Sequence, residues 1–397
     1  MTTAEITKKD TFLAALSSLQ FNEDSYFEGL RKIAQNELNE LDFPTSKTEY
    51  WKYTRVGKIV NNSYTLGQLE KIDVSDFLIP NLKAHILVVV NGYFSPELSN
   101  FTKMDGVSLT SLSAAKKQSF EGVKKQFNQF TQNKKEIFLA FNNAFHTDGI
   151  YLEVAKSKIV EKPLHIINIT TGNNTVSQSR NLFLANAGSQ VKIIESFVNV
   201  DGEKNFNNHV SEILIAENAF LEYNKIQDKK ENNFSIATEQ VYQEANSNFT
   251  INTATFNGAL VRNNLNIEVD ASNCETNLNG LYLGKNKDHI DNHTVVDHKK
   301  PHCNSNEIYR GILDDESTGV FNGKVFVRPN AQKTNAFQKN NNILLTDNAT
   351  VNSKPELEIY ADDVKCSHGS TTGQIDEEAI FYLQSRGISK KGALKLM

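Results

Sequence analysis

The chain reads as a mainly β protein, a solenoid of stacked strands with helical segments before and after it. Three observations lead there. Beyond residue 84 apolar and polar residues alternate, as where Leu265, Ile267 and Val269 interleave with Asn264, Asn266 and Glu268. Period two buries one set and wets the other. Asparagine occurs 47 times, 35 of them from Asn168 to Asn352, beside only seven prolines. Its amide competes for backbone hydrogen bonds in helices yet tolerates left-handed turns, so the stretch predicts many short strands joined tightly. Coding bias toward AT accounts for such an excess too, so the positions weigh more than the number. Third, turn-like clusters recur: Ala187, Ala219, Ala245, Ala271 and Ala349 are spaced 32, 26, 26 and 78 residues apart, the last being three times 26. Such an interval without crossover helices points to stacked rungs, whereas a large sandwich would give the strands without the interval. The 397 residues would overfill one compact core, but not an elongated repeat.

The elements follow in chain order. Residues 1–80 read as an N-terminal helical region, with Tyr26, Phe27, Leu30, Ile33, Ala34, Leu38 and Leu41 at helical spacing. Pro44 ends that segment, and a polar-aromatic stretch with the only tryptophan, Trp51, follows. Residues 81–365 form the β core. His85–Val90 is a short apolar strand closed by Asn91-Gly92, a strong turn signal. Phe120, Val123, Phe127 and Phe130 predict a helical insertion near 111–142. Residues 366–397 return to helix: Asp376 is an N-cap, Glu377 and Glu378 complement the dipole, and Gly387 follows Arg386 at the C-terminal end. A second helix starts at Ser389 and runs to Met397 without a cap, which predicts a chain cut inside a helix.

Composition removes several function classes. A net charge of −5 spread along the chain gives no electrostatic case for nucleic acid. The apolar run Ile86–Val90 is far short of the ~20 residues of a spanning helix, and residues 1–10 lack a signal-peptide core. Cys274, Cys303 and Cys366 are too few for a disulfide scaffold, so the expected setting is the reducing cytoplasm, without a membrane anchor. No phosphate-binding loop, dinucleotide glycine motif, nucleophile elbow or C-x-x-C pair is present. The chain is therefore expected not to hydrolyse nucleotide itself.

Two clusters remain that could carry chemistry. His289, Asp291, His293, Asp297, His298, His302 and Cys303 include metal-ligand types, although their spacing matches no zinc motif. On a strand, His289, Asp291 and His293 share one face and His298 lies on the other, so a metal at His289, His293 and His298 competes with ordinary polar stacking between rungs. The second cluster is Lys365-Cys366-Ser367-His368-Gly369, at the junction from the last strand to the C-terminal helices. Cys366 and His368 point the same way on an extended segment, and Lys365 would favour thiolate. Two ligands do not complete a tetrahedral site, so the others would come from another chain. A buried cysteine beside a capping histidine is the competing reading.

Longer stretches carry a resemblance. Ala361–Ser370, Gly373–Asp376 and Phe381–Gly387, with Leu260–Asn264, Asp291-Asn292, Val296–His298, Val320–Gly323, Ala331–Thr334, Lys354–Ile359 and Asn91–Phe94, resemble the SufD family of iron–sulfur cluster assembly proteins, from about residue 40 onward. The resemblance implies a right-handed parallel β-helix, pairing with the paralogue SufB through the β-helix ends, and docking of the ATPase SufC on the C-terminal helical region (Phe381, Tyr382, Arg386, Gly387 and Leu394). It implies that His368, with Cys366, serves cluster assembly, His368 as a transient ligand shared with SufB at the interface, where a transient iron–sulfur cluster forms. It gives the 288–303 run no role. Family members usually continue some tens of residues past Met397. The resemblance further implies a non-enzymatic scaffold that binds no nucleotide and has no catalytic residue, and a homodimer of the isolated chain through its exposed strand edge is left as an open option. The alternatives are a SufB-like main scaffold and a carbohydrate-active β-helix enzyme, which would need convergent carboxylates and aromatic platforms.

Overall fold

The computed structural model describes residues 8–17, 19–131, 134–229 and 232–397. Residues 1–7 of the expected helical region lie outside that set. The β core is a parallel solenoid of about eight turns. From Gln190–Asn199 to Lys365–Gln374, consecutive strands alternate between two sheets and pair with the strands one turn away. Leu265, Ile267 and Val269 point inward and are buried, as the alternation predicts.

The alanine interval does not mark the rung. In the sheet that ends at Lys365–Gln374, paired residues are 27 to 31 positions apart, as with Asn248 on Glu275 and Asn304 on Asn335. What recurs is a left-handed residue, Gly188, Asn218, Asn246, Asn273, His302 and Lys333, with φ from 57° to 67°. A small buried residue follows each one, Ser189, Ala219, Ser247, Cys274, Cys303 and Thr334. Ala219 belongs to that column, Ala187, Ala245 and Ala271 sit two or three residues before it, and Ala349 lies in the opposite turn. Turn length varies while strand register is kept, so an interval counted on turn residues drifts. Asparagine has two uses here. It takes the left-handed position, and on the outer face Asn252 donates to Asn224 at 2.8 Å and Asn279 to Asn252 at 2.9 Å.

The two ends of the solenoid differ. At the first, antiparallel strands cap both sheets, Tyr93–Asn100 on His85–Val90 and Val107–Ser111 on Ile150–Val154. At the last, Thr350–Ile359 and Lys365–Gln374 are terminal strands, each with one open edge. The insertion is three helices, Leu112–Lys117, Glu121–Gln126 and Ile137–Phe145.

The N-terminal region is less helical than the spacing predicts. Helices occupy Lys8–Leu13 and Ser25–Glu40, after which only short turns of helix remain up to residue 80. In Ser25–Glu40 the buried stripe is Phe27, Arg31, Ala34 and Leu38, while Tyr26 and Ile33 are exposed. Arg31 is accepted on that face because Glu23 Oε2 lies 2.6 Å from its Nε and Ala144 O 3.0 Å from Nη1. Phe12, Leu38, Trp51, Ile59 and Tyr64 pack with Phe138 and Phe141 of the insertion onto Phe206, Phe234 and Leu260, covering the outer face of one sheet. The outer face of the other leaves Leu281, Ile308, Phe337 and Ile343 exposed. The C-terminal segment begins later than residue 366, because strand pairing with Asn335–Leu344 continues to Gln374. Asp376 then caps the helix Glu377–Ser385 and Ser389 caps Lys390–Leu396. No described helix is long and apolar enough to cross a membrane.

Candidate functional site: the open last turn

Each inward position of the solenoid stacks on the same position one turn earlier. Ala336 and Gln338 are inward and fully buried in the penultimate turn, and Cys366 and His368 pair with them in register. The last turn thus presents Cys366 and His368 toward the solenoid axis, but no further turn covers them, and His368 is exposed. Across the mouth Ser370 Oγ donates to Ser353 Oγ of the other sheet at 2.8 Å. The mouth is therefore a polar opening bearing an imidazole, a thiol and two hydroxyls on a fixed ladder.

This differs from the expectation in two ways. The pair stands within a ten-residue strand rather than at a strand-to-helix junction. Lys365 is the outward neighbour of Cys366, and the thiol is pushed up, by burial first, with the Ala336 backbone hydrogen bond opposing. Cys366 is thus a protonated, half-buried thiol packed beside Val364 and Leu357. Beneath His368 the same column continues into residues that the sequence reading did not single out. Gln338 Nε2 donates to Glu307 Oε2 at 2.6 Å, and Thr294 Oγ1 donates to Glu307 Oε1 at 2.5 Å. Burial pushes the Glu307 carboxyl up to about 7, against those two hydrogen bonds. Gln338 and Glu307 fall at alternate positions of their strands, so only the register between strands places them under His368.

The His–Asp run forms one strand, His289–His298, whose two faces have separate fates. On the outer face Asp291 lies under the N-terminal region. Arg262 Nη1 is 2.6 Å from its Oδ2, and Thr54 donates to the same oxygen at 2.5 Å. His289 Nε2 is 2.8 Å from Thr54 Oγ1, and His293 Nε2 is 3.1 Å from Asp291 Oδ1. The Arg262 guanidinium lies 3.7 Å from the Trp51 ring centre, a cation–π contact that ties the helical region to the sheet. Burial works to raise the Asp291 carboxyl, but Arg262 and His293 hold it well below the carboxylate range. Burial lowers His289 and His293, so both are neutral partners of that carboxylate at neutral pH. His298 points the other way, into the solenoid, 2.9 Å from Ser305 Oγ, with burial lowering it to about 4. His289, His293 and His298 therefore do not converge, and among the described residues no group of three His, Cys, Asp or Glu is arranged to hold a metal ion. Arg262 was within reach of sequence reading, as a charged residue inside an alternating strand. Thr54 carried no signal.

The C-terminal helices rest on few contacts. Ile380 and Ala393 are buried, whereas Phe381 is 74% and Tyr382 57% exposed, and Leu394, Leu396 and Met397 are also open. Arg386 lies over the Tyr382 ring at 5.1 Å, and Gly387 takes φ 87° to close the first helix. The segment thus displays several exposed apolar side chains on helices that follow directly from the last strand.

Comparison with known proteins agrees with this arrangement. Residues 168–397 match the family model described as SUF system FeS cluster assembly, SufBD core domain, and residues 4–166 match the SufBD protein N-terminal region. An iron–sulfur cluster assembly SufBD family protein of Synechocystis is 30% identical, over 99% of this chain and 90% of its own length. The iron–sulfur cluster assembly protein SufD of Escherichia coli is 30% identical over 92% of this chain and 85% of its own length. SufD of Bacillus subtilis is 24% identical over 96% and 89%. With both halves of the solenoid and its helical cover matched, the chain belongs to the SufBD family of the SUF iron–sulfur cluster assembly system.

Proposed function

We propose that this chain is a non-catalytic scaffold subunit for iron–sulfur cluster assembly, pairing with a SufB paralogue through its open last turn and docking the SufC ATPase on its C-terminal helices. The observation that carries the reading is that His368 is exposed and Cys366 only half-buried at inward-facing positions. A solenoid interior left open at one end is completed by a second solenoid. The open edges of Thr350–Ile359 and Lys365–Gln374 offer it a row of backbone donors and acceptors. Iron and sulfide are the cargo. His368 supplies an imidazole nitrogen from the strand ladder, and the partner supplies the remaining ligands, since one imidazole fills a single position of a tetrahedral set. Cys366, protonated and half-buried, packs the mouth beside that ligand. The exposed apolar side chains Phe381, Tyr382 and Leu394 form the docking surface for the ATPase, whose closure on nucleotide would pull on helices joined directly to the last strand.

The test is anaerobic co-expression of SufB, SufC and this chain, comparing wild type with His368→Ala. Loss of cluster absorbance in an intact complex is expected. Full cluster yield with His368→Ala would limit this subunit to docking, and failure to co-purify with SufB would overturn the scaffold reading.

A further inference from the structure

Cys274 and Cys303 stack in consecutive turns. Each is the small buried residue that follows the left-handed turn position, and both side chains are 0% exposed. Asn304 N donates to Cys274 O at 2.9 Å, which fixes the two strands in register. The sulfurs converge: Cys274 Sγ lies 3.3 Å and Cys303 Sγ 3.1 Å from the same acceptor, Ala271 O. In-register parallel neighbours are about 4.8 Å apart at Cα, inside the roughly 4.4–6.8 Å span of a disulfide. The column offers no other sulfur, since Ser247 precedes the pair and Thr334 follows it. Cys366 belongs to a different column, above Ala336.

We propose that Cys274 and Cys303 form a peroxide-sensitive dithiol, whose oxidation makes an intramolecular disulfide stapling two consecutive turns. Both thiols thus sit against one carbonyl oxygen, with neither sulfur held away from the other. With Cys274 as the attacking sulfur and Cys303 as the resolving one, or the reverse, the same disulfide forms. The Cys274 thiolate attacks one peroxide oxygen, forming an S–O bond, and the O–O bond breaks to release hydroxide, which leaves as water with the thiol proton. Cys303 then attacks the sulfenic sulfur, the S–S bond forms, and the S–O bond breaks to release a second water. Two thiols and one hydrogen peroxide become one disulfide and two waters. Peroxide access requires a local opening of the turn Ala271–Asn273, where Asn273 is exposed.

The test uses the reduced, folded full-length chain, treated with graded hydrogen peroxide, quenched with catalase, then denatured and alkylated for peptide mass mapping. The expected result is loss of two alkylatable thiols and a linked peptide pair holding Cys274 and Cys303, reversed by dithiothreitol. In Cys303→Ala the reaction should stop at a Cys274 sulfenic acid trapped by dimedone. The proposal is overturned if Cys274 and Cys303 both stay alkylatable at doses that oxidise Cys366, or if the link appears only after the chain is unfolded in urea. The wild-type chain alone decides the main point, so a variant that folds poorly does not blunt it.

Discussion

Two strands of this solenoid carry histidine beside a second chemically active residue, and their environments are opposite. On His289–His298 the outer residues are sealed under the helical region and satisfied within the chain: Asp291 has Arg262, Thr54 and His293 around it. On Lys365–Gln374 the inward residues repeat positions that are buried one turn earlier, yet they face solvent. The denser cluster of ligand types is the structural one. A carboxylate already paired to an arginine has its lone pairs spent on holding two layers together. An imidazole at an uncompleted inward position keeps its nitrogens for something from outside.

The sharpest way to break this comparison is to remove one partner of the sealed pair. Arg262→Ala leaves the Asp291 carboxylate buried without its cation and should cost about 3–5 kcal/mol, measured by urea unfolding. A loss below about 1 kcal/mol would mean that the helical region is anchored elsewhere.

The next effect is in pH, and the sealed Asp291 pair and the buried column under His368 should pull in opposite directions. Asp291 is held low in the folded state, so its stabilisation is present above the ordinary carboxylate range and is lost as pH falls through the folded value. Glu307, in the column under His368, is raised to about 7 from 4.5. Between those values the folded chain keeps a proton that the unfolded chain releases, so stability falls as pH rises, by about 3 kcal/mol at most. Glu307→Gln should flatten the fall between pH 5 and 8 in melting curves; an unchanged slope would remove Glu307 as its source.

Smaller still, Phe381→Asp should leave stability within about 0.5 kcal/mol, because the ring is largely exposed. Its effect belongs in retention of SufC during affinity purification. Retention equal to wild type would show that the exposed apolar side chains of the C-terminal helices are not the docking surface. The smallest effect on the isolated chain is that of His368→Ala, again within about 0.5 kcal/mol, read by thermal unfolding. A marked drop would make His368 a structural cap and erase the contrast between the two strands.

Much of the architecture is legible because it rests on short-range periodicity. The alternation around Leu265, the turn after Val90 and the caps at Asp376 and Ser389 each depend on residues within a few positions of one another. The reading went astray for three different reasons. Residues 41–80 fall in the expected helical region with the segment before them, but Trp51, Ile59 and Tyr64 pack against a sheet formed far downstream, with only short turns of helix between them. The alanine interval was counted on turns, whose lengths vary, whereas register is kept by strands. Lys365 looked like a neighbour that would ionise Cys366, yet strand alternation places it on the opposite face.

By itself, then, the sequence determined a β solenoid with helical ends and pointed to Cys366 and His368, because alternation, turn chemistry and capping are local and survive in one dimension. Only the tertiary structure decided which polar residues are spent and which are available. Register stacks Glu307 and Gln338 beneath His368, brings Cys274 onto Cys303, and lays Thr54 against Asp291 from 237 residues away. Those meetings depend on which turn lies over which, and on where the last turn stops, and no local pattern records either.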